Sequence, residues 1–174
     1  MEKIMDLQMS MKIDGVIGTS ISSEHKGWSE IHSWNWGMTS NRKSIDAMDD
    51  GKTSLNELSV IKPIGIDSPG IRLLFAQGEK IPNVEISMTP LRGKREPVKK
   101  LLHVKIESVV IKSVVSGGNI NDEFFKEHIT FLFEKVNFEY SKAGARNESG
   151  ETVFKDYDFC WDVLENKEWS AASS

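Results

Sequence analysis

Four histidines and one cysteine are the side chains of this 174-residue chain that could bind a transition metal or arm a nucleophile. His25, His32, His103 and His128 include no close-spaced pair of the kind structural zinc sites use, and Cys160 stands alone. Cys160 with a histidine could act as nucleophile and base. Strand alternation, however, places its thiol on the face of Asp156, Asp158 and Asp162, and nearby carboxylates raise a thiol pKa and blunt the nucleophile. Asp46, Asp49, Asp50 and Gly51 lack the alternating ligands and closing glutamate of a calcium loop, so they read as a solvated acidic turn. Asn147-Glu-Ser149 matches the glycosylation acceptor, which a cytoplasmic chain does not present to that machinery. Gly117-Gly118 opens no helix with phosphate-loop residues. These residues predict no enzyme, no cofactor and no metal site.

The elements that carry these side chains read as strands. Residues 5–13 alternate Met5, Leu7, Met9, Met11 and Ile13 with polar residues and stop at the turn Asp14-Gly15. Residues 16–27 read as a loop. Residues 28–37 form a tryptophan-rich strand in which period two sends Trp28, Trp34, Trp36 and Met38 one way and Ser29, Ile31, Ser33 and Asn35 the other. The aromatic side is expected to pack a core, with Trp161 joining it from the last strand, and the small polar side to face water or a partner. Residues 39–54 are polar and long for a connection in a compact domain, which marks them as functional or mobile.

A strand over 55–62 stops at Pro63. One short helix follows, with Asp67 or Ser68 as N-cap, Pro69 in its first turn and Gly78 as C-cap. Val84, Ile86 and Met88 mark the next strand. In residues 101–115 the inward set runs Leu102, Val104, Ile106 and then Val109, Ile111, Val115. That change of parity near Ser108 predicts a bulge, or a strand that leaves one sheet for another. Residues 128–140 read as one strand with Val136, Phe138 and Tyr140 on one face, 141–150 as a loop, and 153–163 as a last aromatic strand. The pattern predicts a mainly β fold, an antiparallel barrel or sandwich of two packed sheets with one short helix. A single domain over 1–165 is expected, with a flexible tail over 166–174.

A net charge of −4 argues against a nucleic-acid partner, and the short basic stretch Arg92-Gly-Lys-Arg95 with Lys99-Lys100 reads as a solvated hairpin turn. No apolar run is long enough for a membrane helix, and residues 1–7 lack a secretory leader pattern. The lone cysteine fits a reducing compartment.

Taken in order, several landmarks resemble the haemolysin-coregulated protein (Hcp) family of type VI secretion. They are Glu24-His25-Lys26-Gly27, Ile31-His-Ser-Trp34-Asn-Trp36-Gly37-Met38, the helix signature from Ser68-Pro69 to Gly78, and Val84-Glu-Ile-Ser-Met88. The apolar run 109–118, the strand signal 129–140 and Trp161-Asp-Val163 complete a match that spans about 6–163. The resemblance implies a tail-tube-like barrel of two packed sheets and a homo-hexameric ring that stacks on copies of itself. It also implies sheath and spike proteins as partners and effectors held in the lumen. Such a subunit is made in the cytoplasm and leaves through the secretion machine without a signal peptide. Ser33 and Asn35 are expected to face the lumen. The long loop carrying Thr39, Arg42, Lys43, Asp46, Asp49 and Asp50 corresponds to the family's extended ring-stacking loop, here acidic and not glycine-rich. A phage tail-tube subunit is the physically equivalent alternative. A ligand-binding β-sandwich that uses exposed tryptophans is the third.

Overall fold

The computed structural model describes residues 7–22, 25–40, 53–90 and 101–170. Among them the strands are β1 (Leu7–Ile13), β2 (Ser29–Glu30), β3 (Ser33–Asn35), β4 (Met38–Ser40), β5 (Thr53–Leu55) and β6 (Leu58–Pro63), followed by the helix α1 (Ser68–Gln77). Then come β7 (Ile81–Pro90), β8 (Leu102–Gly117), β9 (Lys126–Leu132), β10 (Lys135–Arg146), β11 (Thr152–Asp162) and β12 (Lys167–Glu168). Ten of these strands form one antiparallel sheet folded on itself, and β4 and β5 pair as a separate hairpin. The sheet does not close into a barrel. It is sandwich-like, with two leaves facing each other across the core.

The fold line runs through β8. Its first half pairs with β7 and β10, from Leu102 opposite Met88 and Tyr140 to Ile106 opposite Val84 and Val136. Its second half leaves them and pairs with β9, from Val110 opposite Leu132 to Gly117 opposite Lys126. Between the halves Ser108 sits at φ 54°, in the left-handed region that an L-residue adopts at a cost. This is where the inward side chains change parity, so the strand turns from one leaf into the other. A register shift between Ile111 and Ser113 then flips parity again. Val115, expected inside, is 61 % exposed, and Val114 packs against the core in its place.

The core leaf of β12-β11-β10-β8-β7-β1-β2 contributes Met11, Ile13, Val84, Ile86, Val104, Ile106 and Val136. The second leaf, β3-β6-β9 with the distal half of β8, contributes Leu58, Val60, Ile111, Ile129 and Phe131. Helix α1 plugs one side through Ile71 and Leu74. It starts after Asp67 with Pro in the first turn and ends at Gly78, whose φ of 65° lets its N–H reach Leu74 and Phe75 carbonyls. At Gly18 a Cβ would lie 2.4 Å from the Trp28 backbone, so only glycine lets the 14–28 loop fold back there.

Three expectations are corrected. The tryptophan segment is broken at Ile31 and His32 into β2 and β3, and its phase changes at the break, so Ser29 and Ile31 are buried while Ser33 and Asn35 are exposed. Met38, expected inside, is 46 % exposed. Residues 128–140 are two strands separated at Phe133 and Glu134, and β10 continues through the expected loop to Arg146. At the end of the described chain β12 adds to β11, and Trp169 donates from Nε1 to the Val136 carbonyl at 3.3 Å beneath Lys135. An indole with a hydrogen-bond partner and a cation on its face has reason to dock.

Candidate functional site

The register of the second leaf places its outward side chains in rows across four strands. Asn35 lies opposite Ser59, Ser59 opposite Thr130, and Thr130 opposite Ser113. The next row runs Ser33, Ile61, His128, Val115. Ser33, Asn35, His128 and Val115 are exposed. The two residues singled out from sequence thus sit at one end of a hydroxyl- and amide-bearing face, and Ser59, Thr130 and Ser113 complete it. Sequence alternation flagged only Ser33 and Asn35, because the other three come from strands whose register is set by long-range pairing. The face can hydrogen-bond a polar surface.

Of the extended-loop residues, Thr39 lies on β4, opposite Ser54 of β5. Arg42, Lys43, Asp46, Asp49 and Asp50 lie outside the described residues. The tryptophans make no exposed aromatic platform. Trp34 is half-buried and donates from Nε1 to Met88 Sδ at 3.3 Å. Trp36 packs among Phe133, Phe138 and Phe159, and Trp161 stacks on Phe159 with ring centres 6.1 Å apart. Trp28 is half-buried and meets His25 edge-on at 4.8 Å.

The histidines have different partners. His25 is buried with Nε2 3.1 Å from Ser87 Oγ, His103 Nε2 lies 3.0 Å from Glu85, and His32 packs on Phe124. Among the described residues no group of three or more His, Cys, Asp or Glu side chains could hold a metal ion. Cys160 is buried, with its thiol 3.7 Å from Asp158 Oδ2.

Sequence reasoning missed a buried charge cluster behind the polar face. The sequence places Lys62 at the end of a strand, yet its side chain is only 2 % exposed. Its ammonium donates to Asp67 Oδ1 and Glu127 Oε1, both at 2.9 Å, and to the Pro63 carbonyl at 2.7 Å. Glu127, fully buried, also accepts from Ser68 Oγ at 2.7 Å and Arg72 at 2.8 Å. Asp67 accepts from Ser29, and Arg72 reaches Ser116. Buried Lys62, Asp67 and Glu127 and the part-exposed Arg72 therefore balance two cations against two anions, and with their hydroxyl partners they bind β2, β6, β8, β9 and α1 together. This employment explains why Asp67 makes no side-chain cap bond to the helix it precedes. The only sequence signal was a lysine at an inward parity position.

At the rim, Asp162 sits below the ordinary carboxylate range, held there first by the Glu165 backbone N–H at 2.9 Å and then by the Lys135 ammonium. The Lys80 and Ser108 hydrogen bonds likewise lower Glu134, and Glu165 raises Lys167. These groups tie down strand ends and make no reactive centre.

The model of the family "Type VI secretion system effector, Hcp" matches residues 10–140. Protein hcp1 of Pseudomonas aeruginosa is 23% identical over 166 residues, covering 93% of this chain and 98% of that protein. A solved type six secretion system protein shares the fold at TM-score 0.78 and 21% identity, over 93% of this chain and 99% of that one. Hcp1 from Salmonella typhimurium does so at TM-score 0.73 and 23% identity, over 95% and 100%. No helix among the described residues is long and apolar enough to cross a membrane.

Proposed function

The chain belongs to the Hcp family of type VI secretion proteins, matched over residues 10–140, and we propose that it works as the repeating subunit of a hexameric ring. Rings stack into a tube, and the tube carries effector proteins outward, driven by sheath and led by spike proteins. The observation that carries this reading is the second leaf. It has four strands, and among the described residues β3 pairs only with β6, while the distal half of β8 pairs only with β9. Among those residues both edges are unpaired, and open edges are surfaces for strand addition. In order across the leaf the strands alternate in direction, so β8 of one copy can lie antiparallel to β3 of the next. Such a heterologous contact closes when the rotation per copy divides a full turn.

In that arrangement the face of Ser33, Asn35, Ser59, Thr130 and Ser113 lines the lumen, and its small polar side chains suit reversible contact with varied cargo. Exposed apolar residues on or beside the helix, Ile66, Leu73 and Phe75, supply surface for neighbours. The β4–β5 hairpin supplies the contact with the adjoining ring. The protein acts by shape and contact, and no reaction is assigned to it.

Paired cysteines test the edge contact directly. Ser33 or Asn35 is replaced on β3, and Ser113 or Val115 on β8, in a chain whose own thiol is buried. Oxidation should give a ladder of cross-linked species that stops at six copies. Only monomer from every pairing of the panel would exclude ring closure through these edges.

A further inference from the structure

Beyond Tyr140 the β10–β11 hairpin outruns β8, whose pairing with β10 ends at Leu102, and continues as a two-stranded ribbon. Its register places like charges directly opposite one another twice. Glu139 faces Asp158 on one side of the hairpin at the base of the ribbon, where β8 still flanks it, and three residues further along each strand Lys142 faces Lys155 on the other side. The two pairs lie about 10 Å apart along the ribbon. Like charges directly opposite in a sheet are destabilising, so each pair works against the fold that holds it.

Among the described residues no opposite charge is paired with either set. The basic side chains nearest to Glu139 in register are His103 and Lys105, and they are bonded to Glu85 and Glu107 at 3.0 and 2.9 Å. Asp158 accepts only from the Cys160 thiol, and Lys155 lies over the Tyr157 ring at 5.1 Å. On the basic side the neighbouring row is Tyr140 opposite Tyr157, both over 40 % exposed. The ribbon therefore has a basic, aromatic face and an acidic face, and the chemistry of each fits the other.

We propose that the ribbon is a two-faced self-docking element, in which the Lys142/Lys155/Tyr140/Tyr157 face of one copy seats on the Glu139/Asp158 face of a second copy of this chain. A contact between two different patches is head-to-tail and repeats around a ring or along a stack, which pairing through one self-complementary patch cannot do. The inference rests on the ring-and-tube reading and adds to it a contact outside the four-stranded leaf. Opposed charges so placed also favour correct encounter over wrong ones, and their effect weakens with salt.

The test uses the full chain in three forms: Lys142→Glu/Lys155→Glu, Glu139→Lys/Asp158→Lys, and all four substitutions together. Particle mass is followed by native mass spectrometry, and tubes by electron microscopy, over a dilution series. Each one-face reversal should raise the concentration needed for assembly by ~10-fold or more, whether the loss appears in rings or in tubes. The fourfold swap, which restores complementarity with the signs exchanged, should recover it and shows at once that these sequences fold. A wild-type assembly that both reversals leave unchanged overturns the docking while sparing the ring reading. A wild type that stays monomeric overturns both. Wild-type dissociation midpoints that do not move between low and high salt also count against the contact.

Discussion

Replacing Lys62 by methionine asks how much the hidden charge cluster holds. The methionine keeps most of the aliphatic stem, so almost no cavity forms, and what is lost is one cation among two cations and two anions. Glu127 keeps Arg72 and Ser68, but Asp67, 3 % exposed, keeps only the Ser29 hydroxyl. Breaking a buried pair by removing one partner costs about 3–5 kcal/mol, because a desolvated charge is left behind. In a chain of this size that is roughly a 10 °C fall in Tm. Thermal and urea unfolding should be followed at one fixed protein concentration, since assembly couples to stability. Two variants frame the result. Lys80→Met breaks the exposed pair with Glu134 at 2.6 Å and should cost less than about 1 kcal/mol. Lys62→Met/Asp67→Asn removes the stranded charge with its partner and should recover more than half of the loss. If Lys62→Met costs no more than Lys80→Met, the cluster does not bind the helix to the sheet and the reasoning is wrong.

Ser108→Val puts a β-branched residue at φ 54° and removes the hydroxyl that bonds Glu134, so a loss of about 2 kcal/mol is expected, while Val110→Thr on the exposed side should be near neutral; equal urea midpoints for the two would contradict the turning-point role. Asp162→Asn keeps an acceptor for the Glu165 N–H but removes the charge. Because the folded-state value is depressed, that charge stabilises above the ordinary carboxylate range, and its contribution is lost as pH falls through the folded value. The Tm gap between wild type and variant should therefore be open at neutral pH and close in strong acid, and a gap that widens on acidification reverses the assignment. Asn35→Trp should leave ring mass unchanged and reduce the effector co-purifying with the ring, and disassembly of the ring would move Asn35 from the lumen to an interface. Deleting residues 41–52 should spare rings and abolish tubes, as seen by electron microscopy.

How far the fold was readable depended on whether its determinants were local. The helix was written in Asp67, Pro69 and Gly78, each acting within its own turn. The corner at Ser108 was visible because inward residues move from Leu102, Val104 and Ile106 to Val109 and Ile111, and no uniform strand produces that. The break at His32 carried no such mark: neither Gly nor Pro stands there, and the phase of Ser29 and Ile31 is set by pairing with β1 and by Asp67 beyond. Lys62 was opaque for the same reason. A lysine reads as solvent-facing until Asp67 and Glu127, 5 and 65 residues away, are seen to meet it. The β10–β11 ribbon lacks the apolar alternation of a strand, because past Tyr140 it no longer covers a core. Of the polar face, alternation on one strand gave Ser33 and Asn35, and cross-strand register supplied the remainder.

Particle mass in solution bears most directly on the account, because every assignment of lumen, edge and ribbon presupposes several copies around one axis. Native mass spectrometry of the purified chain at micromolar concentration should return six chain masses, with annular particles in the microscope. A single chain mass that persists as concentration rises, with no rings on the grid, contradicts the account at its root.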